Sequence, residues 1–120
     1  MNHHEKINYV EFAAKDLPAT KAFFQTAFNW TFADYGSEYI AFSNEGLDGG
    51  FFKVSSLEVA STTDKGGALL IFYSKQLEAT LAKVEKAGGK VNKPIFPFPG
   101  GRRFHFVEPS GNEFAVWSDL

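Results

Sequence analysis

The stretch YVEFAAKDLPATKA, Tyr9–Ala22, returns sixty residues later as LLIFYSKQLEATLA, Leu69–Ala82. Phe12, Lys15, Leu17, Ala19, Thr20 and Ala22 recur as Phe72, Lys75, Leu77, Ala79, Thr80 and Ala82. In each copy an apolar, strand-like run leads through K-x-L-x-A-T into a helix-like stretch. The period is half the chain, too long for a solenoid, and it leaves only two copies. It therefore reads as a duplicated supersecondary module. Two such modules set against each other share one cleft, and function is expected there.

Working outward, Ile7–Ala13 alternates and carries β-branched and aromatic residues, which predicts a strand. Asp16 before Leu17-Pro18 is a helix N-cap with proline in the first turn. That helix is expected to run to about Ala27 or Phe28, with Ala19, Ala22, Phe23, Ala27 and Trp30 forming its apolar stripe. Strands follow at Trp30–Asp34, Glu38–Ser43 and Gly50–Val54, separated by turns. Gly49-Gly50 predicts a bulge or a close backbone approach. The second copy supplies a strand at Ala68–Tyr73 and a helix from about Gln76 to Ala87, stopped by Gly88-Gly89. Strands at Lys90–Ile95, Arg102–Val107 and Glu113–Ser118 complete it. Pro94, Pro97, Pro99 and Gly100-Gly101 predict a rigid, exposed loop before Arg102.

The order is βαβββ twice. It predicts one α+β domain in which two tandem modules form a curved mixed sheet around a cleft, with the helices outside. Module one spans about 6–55, a polar linker about 56–66, and module two about 67–119.

At 120 residues the chain forms a single domain with room for a real core. Fourteen Phe lift the aromatic fraction to 17%, which predicts a Phe-rich core, an aromatic-lined cavity, or both. A net charge of −2 leaves no electrostatic footprint for nucleic acid or an anionic membrane. No window approaches a membrane span. Without cysteine there are no disulfides, thiolate metal sites or cysteine nucleophiles. The opening MNHHEKINYVEF lacks a signal-peptide core, so the expected location is cytoplasmic. His3 and His4 read as a solvated end rather than a metal pair.

The module order, the opening Tyr9–Leu17 and the segment Glu108-Pro109-Ser110-Gly111-Asn112 together resemble the glyoxalase/bleomycin-resistance/extradiol-dioxygenase superfamily, the vicinal oxygen chelate fold. The resemblance covers essentially the whole chain, and its metal-dependent members hold one divalent ion in the cleft. Carried over, the first-strand ligand position falls on Tyr9, its repeat partner on Leu69 and the last-strand glutamate on Ala115. A further position falls within Phe51–Ser55. Leu and Ala cannot coordinate a cation, and one Tyr is a poor site. The resemblance thus implies the scaffold without its metal and with no cofactor, and it implies a homodimer.

Strand alternation places Tyr9, Glu11 and Ala13 on the cleft face, with Leu69, Ile71 and Tyr73, and with Glu113, Ala115 and Trp117. Arg103 and His105 have the parity that faces the cavity in that superfamily. His105 titrates near neutrality, so it suits proton transfer or hydrogen bonding, or it is a packed core histidine between Phe104 and Phe106. Glu11 is a carboxylate in an apolar strand, with Arg103 its candidate partner in an ion pair. Arg102 and Arg103 point opposite ways, so only one of them meets a ligand anion. Leu47–Phe51 lacks the Lys-Ser/Thr and the helix of a phosphate loop. Three functions remain open: metal-free binding of a small, partly aromatic or apolar molecule, a metal-independent lyase or isomerase using His105 and Glu11, and an accessory interaction module with a filled cleft.

Overall fold

Asp16 caps the first helix through its Oδ1, which accepts the Ala19 N–H at 3.0 Å. The computed structural model describes residues 2–55 and 61–120. Its first module is β1 (Tyr9–Ala14), α1 (Leu17–Phe28), β2 (Phe32–Asp34), β3 (Tyr39–Phe42) and β4 (Asp48–Lys53). The second is β5 (Leu70–Tyr73), α2 (Leu77–Lys86), β6 (Lys90–Phe98), β7 (Gly101–Val107) and β8 (Glu113–Ser118). The expected mixed sheet is present as two four-stranded sheets, β1-β4-β3-β2 and β5-β8-β7-β6. In each, the first strand runs parallel to the last and the other pairings are antiparallel. The sixty-residue echo is the trace of this repeated connectivity.

Period-two alternation divides each strand between two environments. Phe12, Ile40, Phe42, Phe51, Phe104, Phe106, Phe114 and Val116 face the helices and are buried. Phe24 of α1 joins the two halves, its ring 5.5 Å from Phe51 and 5.4 Å from Phe114. Phe12 also reaches Phe114 at 5.1 Å. Each buried Phe contributes on the order of 1.5–3 kcal/mol by leaving water. The phenylalanine excess therefore goes first into one core shared by both modules.

A polar joint reinforces that core. Glu108, 2% exposed, accepts from the Thr20 hydroxyl at 2.7 Å and from the Ser110 N–H at 3.0 Å. Its other oxygen accepts the Asn112 N–H at 3.1 Å and the Asn112 side-chain amide at 2.9 Å. That amide also donates to the Ala13 carbonyl at 2.8 Å, while its oxygen accepts the Ser61 N–H at 2.8 Å. Burial pushes the Glu108 carboxyl above its usual range, against the pull of these four donors. The segment Glu108–Asn112 is thus the clasp between the modules.

The structure revises one expectation and sharpens two. Phe96-Pro97-Phe98 continues β6 instead of forming a loop; β6 is an edge strand, and register irregularities between Val91 and Phe96 absorb Pro94. Gly49-Gly50 makes no bulge but does allow close approach, since a Cβ on Gly50 would overlap the Tyr39 ring. The linker's latter part is a 3₁₀ turn at Thr63–Lys65, closed by Gly66 at φ 78°. Linker positions 56–60 lie outside the described residues.

Candidate functional site

The sheet faces turned away from the helices carry the predicted site residues. Register aligns Ile71, Ala115, His105 and Lys93 in one row across the second sheet. The adjacent row is Tyr73, Trp117, Arg103 and Phe96. Phe104 and Phe106 point into the core from the same strand, so alternation alone delivers Arg103 and His105 to this face.

His105 is only 4% exposed, and its Nδ1 lies 2.7 Å from Glu113 Oε2. Glu113 is itself buried, and its Oε1 accepts both the N–H and the hydroxyl of Thr63 at 2.7 Å. Asn92 donates to Oε2 at 3.2 Å. An ionised carboxylate only accepts, so the imidazole proton sits on Nδ1. Nε2 is left to accept from Arg103 Nη2 at 2.9 Å. His105 is therefore held neutral in one tautomer. Burial, with the Arg103 charge, keeps its pKa below the ordinary value, against the pull of Glu113. Burial alone would raise Glu113, but the donors from Thr63, His105 and Asn92 hold it at about 2.

Arg103 completes the row with its guanidinium carbon 5.8 Å from the ring centroids of Phe96 and Phe98. Its Nε is buried and has no hydrogen-bond partner among the described residues. Arg102 turns to the opposite face, where it pairs with Glu78 and donates to the Leu120 carbonyl. The expected division of the two arginines is present.

On the first sheet, Tyr39 donates to Glu11 Oε2 at 3.0 Å and lies 2.6 Å from the Tyr9 hydroxyl. Each phenol has one proton, so Tyr9 donates to Tyr39. Burial, then the bonds to Tyr9 and Glu11, raise the Tyr39 pKa. Tyr9 and Tyr39 border a groove of about 570 Å³ with Phe32, Tyr35 and Asp48. A narrower, apolar crevice of about 300 Å³ lies between the modules, lined by Phe12, Trp30, Phe42, Phe72 and Phe114, and it reaches Ile71 and Tyr73.

These contacts correct the sequence reading at several points. Glu11 is exposed, and Tyr39, not Arg103, is its partner. Its pairing with Arg103 fails because Arg103 lies on the other sheet and is bonded to His105. Leu69 precedes β5 and takes no place in its ladder, whereas Ile71 and Tyr73 stand where alternation put them. Tyr73 donates to Asp119 and packs edge-on to Trp117 at 5.1 Å. Tyr39 and Thr63 were missed. Tyr39 carried a signal in the alternation of its strand and in the bare Gly50 that its ring covers.

The positions that would face a divalent ion do not fit one. Ala115 is buried and has no donor atom, and the Tyr9 oxygen is engaged with Tyr39. Both imidazole nitrogens of His105 are bonded, one of them to a cation. Among the described residues, no three His, Cys, Asp or Glu side chains gather.

Comparison with known proteins agrees with this architecture. The family model of the Glyoxalase/Bleomycin resistance protein/Dioxygenase superfamily matches residues 6–116. A genomically encoded fosfomycin resistance protein from Listeria monocytogenes superposes with TM-score 0.78 at 22% identity, over 97% of this chain and 94% of that one. A glyoxalase-related enzyme from Fulvimarina pelagi gives TM-score 0.76 at 19% identity, over 95% and 88% of the two chains. Lactoylglutathione lyase from Agrobacterium tumefaciens gives 0.70 at 18%, over 95% and 93%. Identities this low carry the fold and not the activity. No curated protein matches the chain.

Proposed function

The chain belongs to the Glyoxalase/Bleomycin resistance protein/Dioxygenase superfamily, and within it we propose that this protein binds a small, partly aromatic or apolar molecule without a metal ion. The observation that carries the reading is the pair of rows on the second sheet. Phe96 and Phe98 set their rings at the Arg103 guanidinium, Tyr73 and Trp117 pack together in the same row, and Ala115 keeps the neighbouring row low between Ile71 and His105. An apolar wall with a few fixed polar groups is how small-molecule sites are built.

The acid–base alternative draws no such support. His105 has both nitrogens engaged, and Glu11 belongs to a separate hydrogen-bonded group on the first sheet. Exposed Tyr9, Phe52, Ile71 and Tyr73 support a homodimer, which light scattering tests as a doubled mass. A cytoplasmic location belongs to the same proposal.

The test is a thermal-shift screen of aromatic metabolites and antibiotics in EDTA, followed by calorimetry and product analysis. Stabilisation by a ligand of this class, without turnover and with a perturbed Trp117 indole resonance, is the expected result. Stabilisation that appears only with an added divalent ion would overturn the proposal.

A further inference from the structure

Arg103 Nε is a buried donor without an acceptor among the described residues, while Thr63, Asn92 and His105 each donate to Glu113. Buried unpaired donors are uncommon in folded proteins, and each points to a missing partner. The guanidinium stays ionised at any working pH. Yet among the described residues its one polar partner is the neutral His105 imidazole, and no carboxylate there forms an ion pair with it. The contrast with Arg102 is direct, since that neighbour has Glu78. Phe96 and Phe98 attract the charge through their ring faces, but neither accepts an N–H bond in the plane of the fork.

The arginine is also mounted stiffly. Thr63 and Asn92 fix Glu113, Glu113 fixes the tautomer of His105, and His105 holds one Nη of Arg103. This chain aligns the guanidinium before any ligand arrives, which lowers the ordering cost of binding. A planar fork with unused donors matches a carboxylate.

We propose that Arg103 receives the carboxylate of an aromatic small molecule whose ring lies along Trp117 and Tyr73. The assignment rests on the reading of this face as a small-molecule site, and it adds the charge class of the ligand. His105 and Glu113 are positioning residues that act through Arg103.

The probes are benzoate and phenylacetate, set against the near-isosteric neutral benzamide and phenylacetamide, with inorganic phosphate as a further arm. Binding is followed by the Arg103 Nε–H and Trp117 indole N–H resonances and by calorimetry. The carboxylates are expected to bind at least about tenfold tighter than the amides and to shift the Arg103 Nε–H signal. Arg103→Met should erase that preference, bringing the carboxylate-to-amide ratio to about one. Glu113→Gln, or His105→Asn if the former folds poorly, should lower the carboxylate-to-amide ratio. A ratio measured within one variant is independent of its stability. Equal binding of acids and amides overturns the assignment and leaves the small-molecule reading intact, as does binding by phosphate in preference to the carboxylates. Failure of all the probes to bind removes both.

Discussion

His105 donates its Nδ1–H to Glu113 across 2.7 Å, with both side chains almost wholly buried. This one bond sets the protonation state of the second sheet's polar row. It ties the site to the latter half of the linker as well, because Glu113 is held in turn by Thr63.

A pH dependence with a definite sign results. His105 has its pKa depressed below 6.5, so the unfolded chain takes up that proton first as pH falls. Its contribution is present above about 6.5 and is lost as pH drops through the folded value. Glu113 acts the same way lower down, its contribution present above 4.5 and lost as pH falls toward about 2. Urea melts at neutral and acidic pH should show stability falling in both windows. Nitrogen chemical shifts should report a neutral Nδ1–H imidazole, and a His105 that titrates at or above the ordinary value would refute the arrangement.

Glu108 runs the other way. Burial raises its pKa, so folding favours its neutral form, and acidification between the raised value and 4.5 strengthens this joint. Replacement by Gln nevertheless puts an amide where four donors already point. Glu108→Gln should cost about 1–3 kcal/mol of stability by leaving donors unpaired. Equal or higher stability in a denaturant melt would show that the carboxylate is not the clasp.

Gly50→Ala should leave the fold standing and break the tyrosine pair. The new methyl occupies the place of the Tyr39 ring, which must swing away from Tyr9 and Glu11. The Tyr39 phenol, now raised, should return toward 10.0, which labelled-tyrosine spectra across an alkaline titration would detect. An unchanged Tyr39 titration would mean that the backbone, not the ring, had given way.

Divalent zinc, nickel or manganese should leave the melting temperature unmoved. A ligand specific to the folded state stabilises by mass action, so binding at this face would appear as an upward shift that grows with metal concentration. Such a shift, abolished by His105→Ala, would show that the imidazole leaves Arg103 and Glu113 to coordinate.

Much of this was legible in the chain because it is written locally. The Asp16 cap, the paired Leu17 and Leu77 and the alternation of β7 and β8 all follow from short periods or single positions. Alternation says which face a residue occupies, but not which of two sheets it belongs to. That is why Glu11 and Arg103 looked like partners. The Glu113–His105–Arg103 order needed the register between β7 and β8, and Thr63 needed the path of the linker. Proline misled at Phe96–Phe98 because an edge strand leaves half its N–H groups outside the ladder anyway.

Asn112 gives its amide to the carbonyl of Ala13, ninety-nine positions earlier. On the ribosome, the opening strand is therefore made long before the group that fastens it. The first module must wait, with Phe24 lacking its cover from Phe114, until that residue has been added. Synthesis at roughly 5–20 residues per second makes that wait several seconds, long enough for exposed rings to recruit a chaperone or another nascent chain. A stalled chain ending before Glu108 should be cleaved by protease throughout its length, whereas a chain carrying residues 2–120 resists. The duplication that makes the fold look divisible into halves has produced a molecule that matures only as a whole.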